Sequence, residues 1–234
     1  MQNRRDSRIR KRAAQAVVAA LTVTALAACV RTDVHRAAHA ATRQSGTTVP
    51  SSVPDTTTTQ PSTHGPVTSP PLPAPGPGFA ADHVTAVGDS VMLDYQMDLE
   101  WDIPGVNVQA AVSRQWTTGL TVLQQAKSAG LLGAVVVVGL GTNGPITTAQ
   151  FNSMMAVLSG ASRVVFVNVY VDRAWQDSNN AVIAAGVHRY PNAVLADWYT
   201  LASQNPSWLY STGTHLPIDG TGAQALAAMV AADA

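Results

Sequence analysis

The chain has 234 residues, 46% of them hydrophobic, and its 14 Lys and Arg balance 14 Asp and Glu. That is enough apolar material for one full core, so a single globular domain is expected. Nucleic acid is excluded as a partner, because phosphate binding needs a Lys/Arg surface; here the basic residues crowd the start, the remainder is acidic, and Lys127 is the only lysine beyond that start.

Arg4, Arg5, Arg8, Arg10, Lys11 and Arg12 precede the apolar run AAQAVVAALTVTALAAC, which ends at Cys29. A charged stretch followed by an apolar one is the pattern of a secretion signal. Leu26-Ala27-Ala28-Cys29 resembles the lipobox of bacterial lipoproteins. That resemblance implies a signal peptide over 1–28, lipidation of Cys29, and an extracytoplasmic protein lipid-anchored to the bacterial cell membrane. Cys29 is the only cysteine, so a disulfide within the chain is excluded. The alternative is an uncleaved anchor, since residues 13–30 are just long enough to span a bilayer.

Residues 29–78 form the next unit. Thr, Ser, Pro and Gly dominate it, including TTTT at Thr56–Thr59 and PPLPAPGPG at Pro70–Gly78. No hydrophobic period survives there, and such a composition cannot bury enough apolar surface to offset its ordering entropy, so a disordered tether is expected. At about 3.1 Å per residue where extended, it reaches on the order of 100 Å. His35 and His39 have a metal-compatible spacing but no third ligand nearby, so no metal and no cofactor is assigned.

From Phe79 onward short β-rich runs alternate with stretches of helical spacing, which places the globular domain at 79–234. The runs are Val84–Val87, Val106–Val112, Ala134–Leu140, Arg163–Val171 and Ala193–Trp198. Helices are predicted at Ser90–Leu99, Thr117–Ala129, Thr147–Leu158, Ser178–His188 and Gly220–Ala232. Five strands alternating with helices predict an α/β three-layer sandwich, a five-stranded parallel sheet with helices on both faces. Function in such folds gathers at the loops leaving the carboxyl ends of the strands.

Three of those loops carry chemistry. The first strand runs into VGDSVMLDY, which places Ser90 at a strand-to-helix turn, where a serine is either a helix N-cap or an exposed nucleophile favoured by the helix N-terminus. The third runs into GLGTNGP, Gly139–Pro145. This satisfies G-x-G-x-x-G, but it sits on the wrong strand, lacks an acid about 20 positions on, and meets Pro145 at once, so a dinucleotide site is not expected. A tight loop presenting the Asn143 amide as an oxyanion donor fits better. The last strand leads to YSTGTHLPIDG, and His215 falls in the loop before the final helix. Nucleophile, oxyanion donor and general base on one sheet edge satisfy the requirements of acyl transfer.

GDS at Gly88–Ser90, GTNG at Gly141–Gly144 and THLP around His215 resemble three blocks of the SGNH (GDSL-like) hydrolases. The likeness is closest to the extracytoplasmic SGNH domain of enzymes that O-acetylate peptidoglycan and other surface glycans. VSRQW (Val112–Trp116), GTNGPIT (Gly141–Thr147) and the stretch Ala196–Leu226 carry it. The resemblance implies an SGNH/flavodoxin-like fold, Ser90 as the acylated residue, His215 as its base, and an oxyanion hole from Ser90, Ser113 and Asn143. It also implies an acylated envelope polysaccharide or peptidoglycan as substrate and a membrane acyltransferase as partner.

Two positions depart from the pattern. Ser113 stands where the second block places glycine; it keeps the backbone N–H and loses steric tolerance. Thr212 stands three residues before His215, where the family carries its triad acid. Thr212 is therefore a candidate orienter of His215 without charge, while Asp219 is read as the N-cap of the last helix and Asp197 and Asp172 lie at other strand ends. Two function classes follow: a serine esterase or O-acetyltransferase, or a catalytically impaired SGNH domain that binds glycan or a partner. Trp101, Trp116, Trp175 and Trp208 are candidates for an aromatic sugar platform or for the core.

Overall fold

The computed structural model describes residues 72–234. The signal segment, Cys29, the His35/His39 pair and nearly all of the tether lie outside the described residues. The five expected strands form as β1 (Phe79–Gly88), β2 (Asn107–Ala110), β3 (Leu132–Gly139), β4 (Arg163–Val167) and β5 (Ala193–Ala196). The helices are α1 (Ser90–Asp102), α2 (Trp116–Ser128), α3 (Thr148–Leu158), α4 (Gln176–Val187), α5 (Trp198–Gln204) and α6 (Thr221–Asp233), with a 3-10 turn at Pro206–Trp208. The short α5 was not expected. It starts inside the predicted fifth strand, because Asp197 accepts the N–H of Thr200 and so caps a helix there.

All pairings are parallel and the strand order is β2-β1-β3-β4-β5. The order reverses at β1, so the crevice at the carboxyl ends of β1 and β3 is the topological switch point of the sheet.

Alternation along the strands sends side chains into two cores. Val87, Val136, Val138 and Phe166 meet Trp116, Leu123, Phe151 and Met154 on one face. Ala86, Val137 and Val165 meet Met92, Tyr95, Leu99, Trp198 and Leu226 on the other. The near-continuous apolar run of β3 follows from this, since a central parallel strand is covered on both sides. Among the described residues no helix is long and apolar enough to cross a membrane.

Candidate active site

Register brings the motif-bearing loops together. Gly88 at the end of β1 is paired with Ala110 on β2 and Gly139 on β3, so the GDS turn and the loops carrying Ser113 and Asn143 leave the sheet side by side. Arg114 ties them further: its guanidinium donates to the carbonyls of Gln109 and Gly88.

Ser90 is the first residue of α1, half-buried, with its backbone N–H at the positive end of a 13-residue helix. The cap of that helix is Asp89, so Ser90 is relieved of the capping role. One Asp89 carboxylate oxygen accepts the N–H of Val91 at 3.0 Å and the other accepts the N–H of Thr142 at 3.3 Å, joining the nucleophile turn to the GTNG loop. Burial pushes the Asp89 carboxyl above the usual range, against the pull of those N–H donors and of His215.

The GTNG loop is shaped from beneath. Gly141 holds φ at +121°, and a Cβ there would meet the Ile146 side chain at 2.9 Å. Asn179 on α4 is fully buried; its amide donates to the carbonyls of Gly141 and Gly144, both at 2.9 Å, and accepts the N–H of Ile146 at 2.7 Å. Asn143 is left half-exposed in the cleft. Its amide leans toward the carbonyl of Arg114 at 3.5 Å, while the Gln115 amide donates to its own carbonyl at 2.6 Å. Asn143 thus lies beside the loop that carries Ser113. Ser113 is exposed and takes a left-handed backbone, φ +58°, a conformation that favours glycine.

His215 does not rely on Thr212. Its Nδ1 lies 2.7 Å from Oδ2 of Asp94, and the same oxygen accepts the N–H of Leu216 at 3.1 Å. Asp94 follows Ser90 by four positions on α1, so the two side chains share one face of the helix. The side chain of His215 is 39% exposed and that of Asp94 only 17%, so the imidazole reaches the cleft while its carboxylate is sheltered. Thr212 is exposed, and its carbonyl accepts the Thr214 hydroxyl at 3.5 Å.

The other acids are engaged elsewhere. The N-cap of α6 is Gly220 and not Asp219, whose left-handed φ of +65° belongs to the turn ahead of the helix. Asp197 accepts from the Asn168 amide at 2.7 Å and the Thr200 N–H at 3.2 Å. Burial pushes its carboxyl up, but these donors outweigh it and hold the group below the usual range. Asp172 is exposed.

Sequence reasoning missed Asp94. The search for an acid covered the strand ends and the neighbours of His215, whereas the contact spans 121 positions into a helix. The signal available was the spacing S-x-x-x-D on α1. Of the tryptophans, Trp116 is core, 4% exposed and stacked near Phe151 and Phe166. Trp175 lies at the GTNG loop, donating to the carbonyl of Thr142 at 3.3 Å. Among the described residues no group of three or more His, Cys, Asp or Glu could hold a metal ion.

No family model matches the chain. It is 33% identical over 154 residues to Bacillus subtilis YrhL, covering 66% of this chain and 24% of that protein. It is 35% identical over 145 residues to the peptidoglycan O-acetyltransferase OatA of Listeria monocytogenes, 62% of this chain and 23% of the relative. The chain thus spans about a quarter of the length of the curated relatives it matches. In structure it resembles the C-terminal catalytic domain of Streptococcus pneumoniae peptidoglycan O-acetyltransferase A, with a TM-score of 0.61 and 22% identity over 65% of this chain and 92% of that one. TesA matches with a TM-score of 0.51 and 15% identity over 63% of this chain and 95% of its own. The chain is therefore similar to one region of the peptidoglycan O-acetyltransferases and shares the parallel α/β fold of the Streptococcus pneumoniae catalytic domain and of TesA.

Proposed function

We propose that residues 79–234 are an extracytoplasmic serine esterase or O-acetyltransferase acting on the acetyl groups of a cell-envelope glycan, peptidoglycan foremost. The observation that carries this reading is the 2.7 Å contact between His215 and Asp94. A histidine backed by a carboxylate at the edge where Ser90 opens a helix is equipped as a general base.

In this reading the Ser90 hydroxyl attacks the acyl carbonyl and passes its proton to Nε2 of His215. The oxyanion is held by the backbone N–H groups of Ser90 and Ser113 and by the Asn143 amide. Collapse expels the alcohol, which takes the proton from His215, and leaves acetyl on Ser90. Water or a sugar hydroxyl then attacks the acyl-serine with His215 again as base, giving hydrolysis or transfer. Tyr210 and Ile218, 53% and 61% exposed on the loop that bears His215, offer contact surface to a glycan. Lipidation of Cys29 and the tether would hold the domain near the membrane, within reach of a membrane acyltransferase as acyl donor.

The test is hydrolysis of a small activated acetyl ester by the full chain. Ser90→Ala and His215→Ala should each lower kcat by about 10³-fold or more, because neither nucleophile nor base can be replaced. A wild type no faster than Ser90→Ala would leave the binding-domain alternative standing.

A further inference from the structure

We infer that Asp94 supplies the charge that orients His215, so that the acid of the triad has moved from the position now occupied by Thr212 to the helix that bears the nucleophile. This rests on Ser90 and His215 being the reacting pair, as proposed above.

The geometry fixes more than proximity. Oδ2 of Asp94 receives the backbone N–H of Leu216 at 3.1 Å, and a backbone N–H can only donate. That oxygen is therefore an acceptor, and Nδ1 of His215, 2.7 Å from it, must carry the proton. In the neutral imidazole the remaining nitrogen, Nε2, is then the one without a proton, and it can take one from Ser90. The tautomer needed for a general base is thus set by two donors converging on one carboxylate oxygen.

The placement on α1 has a structural logic. Residues four apart on a helix are neighbours, about 5–6 Å between Cβ atoms, so nucleophile and acid are held in fixed relation by one rigid element. His215 is brought to both from a loop, and the paired bonds to His215 and Leu216 pin that loop to α1. An acid three residues before the histidine would orient the ring from within its own loop. With Asp94 in place, that position carries no such demand, and it holds an exposed threonine.

Asp94 is a positioning residue, and its variants separate charge from hydrogen bonding. In Asp94→Asn the Leu216 N–H still selects the carbonyl oxygen of the amide, so the acceptor for Nδ1–H survives and the negative charge is lost. In Asp94→Ala both are lost.

The experiment uses the full chain with ¹⁵N-labelled histidine, reading the ring nitrogen shifts of His215 at neutral pH alongside acetyl-ester kinetics. The wild type and Thr212→Ala should show the Nδ1–H tautomer, and Asp94→Ala should show a mixture. Asp94→Asn should lower kcat by about 10²- to 10⁴-fold with KM changed less than about threefold, whereas Thr212→Ala should stay within about threefold of wild type. An Nε2–H tautomer in the wild type, or Asp94→Asn with kcat within about threefold of wild type, overturns the proposal. If Asp94→Asn fails to fold, the spectra of wild type and Thr212→Ala still decide it. A wild type without esterase activity sinks the enzymatic reading instead, and leaves the tautomer measurement to judge the Asp94–His215 coupling separately.

Discussion

Ser113 holds φ at +58° where the family resemblance calls for glycine, and its side chain is exposed, so the cost is in the backbone alone. A left-handed conformation costs a non-glycine residue roughly 1–2 kcal/mol, partly offset here by the greater entropy glycine loses on folding. Ser113→Gly should therefore leave stability unchanged or slightly higher. Ser113→Val, with a β-branched side chain in the same conformation, should lower Tm by on the order of 5 °C in a thermal melt. A valine variant that melts with wild type would show that the loop relaxes out of the left-handed region without penalty. The N–H that this backbone aims is the part glycine and serine share, so the change of residue keeps the donor.

At the scale of elements, α4 shapes the site without touching the cleft. Asn179 is buried and satisfies one N–H and two carbonyls of the loop after β3, a loop that has no sheet or helix partners of its own there. Asn179→Ala should destabilise the domain by about 2–4 kcal/mol, read by urea unfolding, because three buried backbone groups lose their partner. It should also lower kcat, since Asn143 sits in the loop being held. A loss of stability with kcat intact would mean that the loop keeps its shape by Asp89, Gln115 and Trp175. The helices themselves were largely legible, because strand runs and helical spacing are local properties. Their ends differ from the expected ones by up to three residues, and at Thr147 the cause is a cap, since it closes α3 through a capping box with Gln150. Only α5 went unseen, since seven residues with one polar cap leave little periodicity to read.

At the scale of the whole molecule, three loops from β1, β2 and β3 and a fourth before α6 must meet at one edge. The parallel register at Gly88, Ala110 and Gly139 secures the first three. The fourth is pinned by Asp94. Under the proposed function, Cys29 sets where the domain works. Under the proposed anchoring, Cys29→Ala should shift the protein from the membrane to the soluble extracytoplasmic fraction while the acetyl-ester activity of each molecule is unchanged. Cys29→Ala protein that stays with the membrane would argue for the apolar stretch 13–30 as the anchor instead.

The sequence by itself determined the alternation of strands and helices, the parallel sheet, and the placement of Ser90, Asn143 and His215 at strand ends. Each of those follows from residues close together in the chain: apolar runs, turn glycines and helical spacing. The tertiary structure alone decided which carboxylate lies against His215 and which residue braces the GTNG loop. Asp94 lies 121 positions from His215, and Asn179 lies 33 to 38 positions from the loop groups it holds. Such pairings are set by how helices pack across a sheet, and a carboxylate or an amide on a helix carries no local mark of the partner it will meet.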